Sequence, residues 1–358
     1  MKIPSAMRAA VLYDTDDIRI EERPVPVLKT GELLVQTRAS GICTGDIMAW
    51  YVRRKAPLVL GHEPAGVIAA IGPGDAPKDD AGRPFAIGDR VFVHHHAPCF
   101  SCSFCERGDY VQCAHWRAGK IDPGGLAEYF RVPHENLSDT LRLPDALSFE
   151  DGSLIEPLAC VVKSLRRANL RAGDAIHIIG LGVMGLMHAL LAQARGLRVT
   201  GSDFNAQRRE SAQQHGITAV APPEAERTLR DATGGRGADV VICGPGTAEA
   251  LRDALAYVAA GGSVVMFTPL EPGAPFAFDA SDLYFRDISL IASYSCGPND
   301  TREALDVLTA GTISAAKLDA QAFPLDSVPQ AYRALADAKL LKPIIVFEPS
   351  LELFAPQA

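Results

Sequence analysis

Four cysteines crowd into one short stretch, Cys99-x2-Cys102-x2-Cys105-x7-Cys113. Thiolates so closely spaced can close a tetrahedron around zinc, with Zn–S bonds of about 2.3 Å. A shell of four cysteines leaves no open position, so the chemistry it predicts is structural. An iron–sulfur cluster is the rival occupant, because cysteine runs of related spacing also hold clusters. A second set carries the ligand types of an open zinc site: Cys43, then His62 and Glu63 of Gly61-His62-Glu63, then Glu156 of Glu156-Pro157-Leu158. A site with an exchangeable position polarises a substrate oxygen. Spacing alone leaves open the blander reading of a core cysteine and a satisfied histidine.

Gly180-Leu181-Gly182-Val183-Met184-Gly185 follows an apolar run and opens a helical one. The first glycine permits a tight turn, the second lets a pyrophosphate reach the backbone, and the third lets helix and strand pack closely. The helix start at Val183 and Met184 offers N–H groups to phosphate. Asp203, after the next strand, can accept hydrogen bonds from ribose hydroxyls and repel a 2′-phosphate. NAD is therefore favoured over NADP. Arg208 and Arg209 fall on the following helix and read as solvated. The alternative is a glycine-rich turn in an unrelated α/β fold.

The elements that must position these groups fall into two patterns. Up to about residue 150 the chain reads as β-rich, with short runs at Ala9–Leu12, Glu32–Arg38, Ala65–Ile71 and Arg90–His94 between Gly and Pro punctuation. Residues 73–84 read as a polar surface loop. A helix is expected over Gly152–Leu170. From Asp174 onward strands and helices alternate: Ala175–Ile179, Val183–Ala194, Arg198–Gly201, Ala206–His215, Ile217–Val220, Glu224–Ala232, Ala238–Cys243, Ala248–Val258, Ser263–Phe267 and Ser289–Ser293. That alternation with Val/Ile-rich strands predicts a doubly wound parallel sheet covered on both faces. Two helices, Thr301–Leu308 and Val328–Ala338, and a strand, Lys342–Phe347, follow.

The chain has 358 residues, 47% hydrophobic and 22% charged, with a net charge of −8. Such a composition excludes a disordered chain and argues against nucleic-acid binding. The uncharged run Ala175–Ala194 has the length of a membrane span, but His177, His188, Gln193 and its glycines predict a strand, a turn and a helix. No secretory signal is visible, and the eight cysteines read as reduced, which predicts a cytoplasmic protein. Cys160, Cys243 and Cys296 read as buried free thiols.

Taken together, GICTGD around Cys43, GHEPAG around His62, the four-cysteine loop, GGLAEY at Gly124–Tyr129, EPL at Glu156 and GLGVMG resemble the zinc-dependent medium-chain dehydrogenase/reductase family, in that family's order and over essentially the whole chain. The EPL version resembles the sorbitol (polyol) and threonine dehydrogenase branches. The resemblance implies a β-rich GroES-like catalytic domain over 1–155, a Rossmann-type NAD-binding domain over 156–299, and a return to the catalytic domain over 300–358. It implies two zinc ions per chain, one structural and one catalytic on Cys43, His62 and a carboxylate, Glu63 or Glu156. It also implies a small-molecule substrate, a secondary alcohol or ketone of polyol, sugar or amino-alcohol type, and a homodimer or homotetramer. Lys342 resembles a basic residue that contacts the cofactor pyrophosphate, or is a solvated strand-end lysine. Trp50 and Tyr51 line the substrate pocket or are interface aromatics.

One departure stands out. Relatives carry Ser or Thr two residues after the ligand cysteine and often His five residues after it; here these positions are Gly45 and Met48. His96, which matches a histidine of threonine dehydrogenases, is one substitute base; a carboxylate near the metal, Glu156 or Glu63, acting directly or through water, is the other, and His94-His95-His96 also reads as a strand end near the cysteine loop. Two other readings stay open: a relay-less reductase of a polarised C=C or C=O bond, and a catalytically silent zinc-stapled NAD(H)-binding protein.

Overall fold

Strands buried on both faces need helices on both sides, and the 160–295 region supplies them. Its six parallel strands run in the order Thr218–Val220, Arg198–Ser202, Ala175–Ile179, Ala238–Cys243, Val258–Met266, Ser289–Ala292. Burial follows that order: Ala175–Ile179, at the centre, is buried throughout, whereas Ser289–Ala292, at the edge, is nowhere fully buried. The order reverses beside Ala175–Ile179, which is the switch point where a parallel sheet opens a crevice for a ligand. In the computed structural model, which describes residues 3–347, the chain divides into two compact units. One is Met1–Ala159 with Cys296–Ala358, and the other is Cys160–Ser295. Residues 1–2 and 348–358, the outer ends of the two predicted catalytic stretches, lie outside the described residues.

The first unit is built on a seven-stranded sheet. Along it lie Ala320–Pro324, Lys342–Val346, Leu33–Gly41, Pro64–Ile71, Arg90–Val93 and Thr140–Arg142, with Tyr129–Val132 also pairing to Leu33–Gly41. A three-stranded sheet of Asp17–Pro24, Ala6–Asp14 and Leu58–Val59 accompanies it. Two registers matter for chemistry. Ser40 pairs with Pro64 and Ile344 with Gly41, so the residues just beyond these positions, Cys43, Glu63 and Lys342, converge.

Several boundaries differ from expectation. The helix expected over 152–170 is Ile155–Arg167, preceded by a separate short helix, Phe149–Gly152. Ser148 caps the short one by accepting from the Asp151 N–H, a local hydrogen bond that sets a separate start. Glu156 falls in the first unit, not in the second as the 156–299 boundary has it. The strand Asp17–Pro24 has many charged residues, which hid it; its pairing along Ala6–Asp14 makes it a strand. The 73–84 loop is mostly exposed but anchored by buried Asp79, which accepts from Arg142 Nε at 3.0 Å. No helix among the described residues is long and apolar enough to cross a membrane.

Candidate metal centres and cofactor loop

The four-cysteine loop folds as short helical turns, Ser103–Glu106, Tyr110–Gln112 and Ala114–Ala118. They turn the thiols inward against Trp116. Sγ separations are 3.6 Å for Cys102–Cys105, 3.6 Å for Cys113–Cys99 and 4.0 Å for Cys99–Cys105. Sulfurs about a tetrahedral zinc lie about 3.8 Å apart, given the Zn–S length. Hydrogen bonds from Ser101 bring the Cys99 thiol down to about 6, towards the thiolate a metal requires. Burial pushes Cys105 up to about 12, so this sulfur is a thiol until a cation compensates it.

The second centre starts at Cys43, which heads the turn Thr44–Ile47 and accepts the Gly45 N–H on Sγ at 3.3 Å. Its ligand atom, with those of His62 and Glu63, forms a set mutually within 4.8 Å. His62 Nδ1 lies 3.6 Å from Asp46 Oδ2, and the Tyr332 hydroxyl donates to the same oxygen at 3.3 Å. This leaves His62 Nε2 facing away from Asp46. Burial works to lower the His62 pKa, but Asp46, Cys43 and Glu156 outweigh it and hold it well above the usual imidazole range. Glu63 is 0% exposed. Its Oε2 takes the Lys342 ammonium at 2.5 Å, and its Oε1 is buried without a hydrogen-bond partner. Burial raises the Glu63 pKa against the pull of Lys342 and His62. An unsatisfied buried acceptor costs about 1–3 kcal/mol. A divalent cation held by Cys43, His62 and Glu63 removes that cost, so these residues fit zinc. Gly41 is part of the design: a Cβ there would stand 1.9 Å from Glu63 Oε2.

Lys342 is not a solvated strand-end lysine. It is 1% exposed, and its ammonium is bonded to Glu63 and to the Ile42 carbonyl, the latter at 3.0 Å. The second register explains this, because Lys342–Val346 lies against the strand that ends beside Cys43. Glu156 joins a different set, with His94 and His95, again mutually within 4.8 Å.

The three histidines divide by alternation. Beyond Val93 the chain stays extended enough that His94 and His96 both meet the Trp116 ring, while His95 meets His62 with ring centroids 5.0 Å apart. His96 spends its Nδ1 on the Gly119 carbonyl at 2.6 Å, and burial lowers its pKa to about 4. His96 therefore belongs to none of the ligand sets, and His95, whose Nδ1 is buried without a partner, stands beside the metal ligands instead. The signal was present: on an extended chain, neighbours two apart share a face.

In the second unit, the strand Ala175–Ile179 turns at Gly180, where φ is +87°, into the helix Val183–Ala194. A Cβ on Gly185 would meet the Gly180 oxygen at 1.9 Å, so only glycine allows this crossing. No side chain caps the helix start at Gly182, Val183 and Met184. Asp203 accepts the Leu181 N–H at 2.7 Å and the Asn205 N–H at 2.8 Å, tying the glycine loop to the second strand. Arg208 is not simply solvated: its Nη1 lies 3.6 Å from Asp203 Oδ2 and beside Gly182. Arg209 Nη1 donates to the Asp203 and Phe204 carbonyls. His177 and His188 are satisfied core residues, bonded to Thr200 and Ser202 and to Ser164 and Met184.

Comparison with known proteins agrees with this geometry. Residues 29–145 match the family model of the alcohol dehydrogenase GroES-like domain, and residues 183–310 that of zinc-binding dehydrogenases. A probable D-xylulose reductase A from Arthroderma otae is 30% identical over 94% of this chain and 96% of its own. A sorbitol dehydrogenase from Bacillus subtilis is 33% identical over 74% of this chain and 75% of its own. Among solved structures, a zinc-binding dehydrogenase from Sinorhizobium meliloti 1021 bound to NADP superposes with a TM-score of 0.82 at 28% identity, over 96% of this chain and 100% of that one.

Proposed function

The chain belongs to the zinc-binding alcohol dehydrogenase family with a GroES-like domain, in its sorbitol/polyol branch, and from that premise we propose that it transfers hydride between NAD and a secondary alcohol or ketone of a polyol or sugar. The observation that carries the reading is the buried, unpartnered Glu63 Oε1 beside Cys43 and His62. A zinc ion held by Cys43, His62 and Glu63 supplies a Lewis acid that acidifies an alcohol oxygen. His95 Nδ1 takes the alcohol proton, the part that Gly45, without a side chain, and Met48, without a titratable one, cannot play. Burial among its histidine neighbours lowers the His95 pKa well below the usual range and keeps it neutral, so its Nδ1 is open to a proton. Lys342 holds Glu63 in place from behind, and Asp46 orients His62. The first unit is thus the catalytic domain and the second the NAD domain, with Gly180, Gly182, Val183, Met184 and Gly185 at the pyrophosphate and Asp203 at the ribose. A second zinc ion sits on Cys99, Cys102, Cys105 and Cys113. None of the eight cysteines is in a disulfide, in keeping with a reducing setting such as the cytoplasm.

Screening polyols and other secondary alcohols with NAD, while following the reduced cofactor by absorbance, tests the proposal. Oxidation of a polyol is expected. The absence of a hydroxyl at Gly45 favours one rival, a reductase of polarised C=C or C=O bonds. Reduction of unsaturated carbonyl compounds with no alcohol oxidised selects that rival.

A further inference from the structure

Behind His95 lies a buried array that the reaction above does not use. His94 Nδ1 stands 2.6 Å from Asp139 Oδ2, and the other Asp139 oxygen accepts from Thr301 Oγ1 at 2.6 Å. His94, Asp139, Thr301 and Cys296 are all 0% exposed. The carboxylate keeps a proton on His94 Nδ1 and turns the Nε2 lone pair the other way. There Nε2 meets Cys296 Sγ at 3.6 Å. The ligand atoms of His94, His95 and Glu156 lie within 4.8 Å of one another, and Cys296, which falls in a separate set with Glu156, borders them through His94. Glu156 is 5% exposed, and His95 Nδ1 is buried without a partner.

These features are those of a coordination site. A carboxylate behind an imidazole is the usual support of a metal-bound histidine, fixing its tautomer and raising its basicity. Sulfur and nitrogen bonded to one tetrahedral zinc lie about 3.6 Å apart, given Zn–S of about 2.3 Å and Zn–N of about 2.0–2.1 Å. Two imidazoles, a carboxylate and a thiolate balance a dication and match zinc's preferences.

We propose a third zinc position, held by His94, His95 and the Glu156 carboxylate, with Cys296 Sγ turning in from beside His94 Nε2 as the fourth ligand, adjoining the Cys43–His62–Glu63 centre. The position does not depend on which substrate the protein takes. Filling it occupies His95, the group assigned above to the alcohol proton, so it acts as an inhibitory site in excess zinc.

Equilibrium dialysis of the full chain against rising free zinc, with bound metal counted by elemental analysis, tests this. The wild type should approach three zinc ions per chain, and His94→Gln should stop at two with cooperative thermal unfolding intact. Should His94→Gln fail to fold, Asp139→Asn answers the same question. An asparagine amide facing Nδ1 moves the imidazole proton to Nε2 and should weaken only the third ion, by about 10- to 100-fold, the usual cost of losing such a support. Cys43→Ala should lose its own zinc and keep the third, which separates this proposal from the proposed function. A wild type that saturates at two ions overturns the third position. So does a His94→Gln or Asp139→Asn variant that still binds three with unchanged affinity, or loss of the third ion together with that of Cys43.

Discussion

His95 and His96 are chemically identical neighbours with different surroundings. His96 packs at a tilt against Trp116 with ring centroids 4.3 Å apart and is hydrogen-bonded to a carbonyl, whereas His95 faces His62. His95→Ala should lower alcohol-oxidation turnover by about 10²-fold, the lower end of general base catalysis. His96→Ala should change turnover by less than about tenfold while lowering thermal stability through lost packing. Steady-state kinetics with zinc content measured on both variants checks this; equal losses in the two would return the base role to His96. Lys342 is a second case. Removing the cation from a buried pair leaves the other charge uncompensated, at a cost of about 3–5 kcal/mol. Lys342→Met should therefore lose about that much stability to urea in metal-stripped protein. Zinc should restore part of it, because a cation on Glu63 stands in for the ammonium. Equal losses with and without zinc would mean that Glu63 does not meet the metal.

At the scale of elements, the cysteine loop has little besides its thiols to hold it. Its helical turns are three to five residues long, and its buried cluster is Cys105, Val111, Cys113 and Trp116. Short turns are marginal without tertiary support, and a closed thiolate shell supplies that support through metal binding. Cys102→Ser should release one zinc ion and lower the melting temperature. Differential scanning calorimetry with metal analysis checks it, and lost activity at unchanged stability would deny the loop its structural role. The cofactor unit relies instead on close backbone crossing at Gly185, which needs no metal.

Over the whole molecule, acid should act on the second unit through two core histidines. Burial lowers both His177 and His188 to about 4, against about 6.5 in an unfolded chain. Between those values the unfolded chain binds protons that the folded one refuses, so stability is complete above about pH 6.5 and falls as pH drops towards 4. Each shift corresponds to roughly 3 kcal/mol over that window. Urea unfolding from pH 7 to 4.5 should show a shallower decline in His177→Phe than in the wild type; identical slopes would remove His177 from the effect. Assembly belongs to this scale as well. The edge strand Ser289–Ala292 presents Leu290 and Ile291 only partly buried, and an apolar edge invites pairing. Light scattering should give a multiple of 38.2 kDa, as a homodimer or homotetramer; a monomer at micromolar concentration refutes this.

The sequence by itself determined what short-range covalent spacing controls. Cysteines three to eight residues apart must share a loop, and a GxGxxG between a strand and a helix must turn as Gly180 does. The bounds of Ala175–Ile179, Val183–Ala194 and Ala238–Cys243 were legible to the residue because each is a largely apolar run set between turn residues. The ligand types Cys43, His62 and Glu63 could be named, but not which carboxylate joins them. Sheet registers carry Glu63 beside Gly41 and leave Glu156 with His94 and His95, so the two carboxylates fall in different sets of ligand atoms. Lys342 meets Glu63 across 279 residues of sequence, and His94 meets Asp139 across 45 and Cys296 across 202. No local pattern encodes such partners, because each strand specifies its own alternation but not its neighbour. Only the folded sheet, with its final strand returned antiparallel to Leu33–Gly41, selects which charges are buried together.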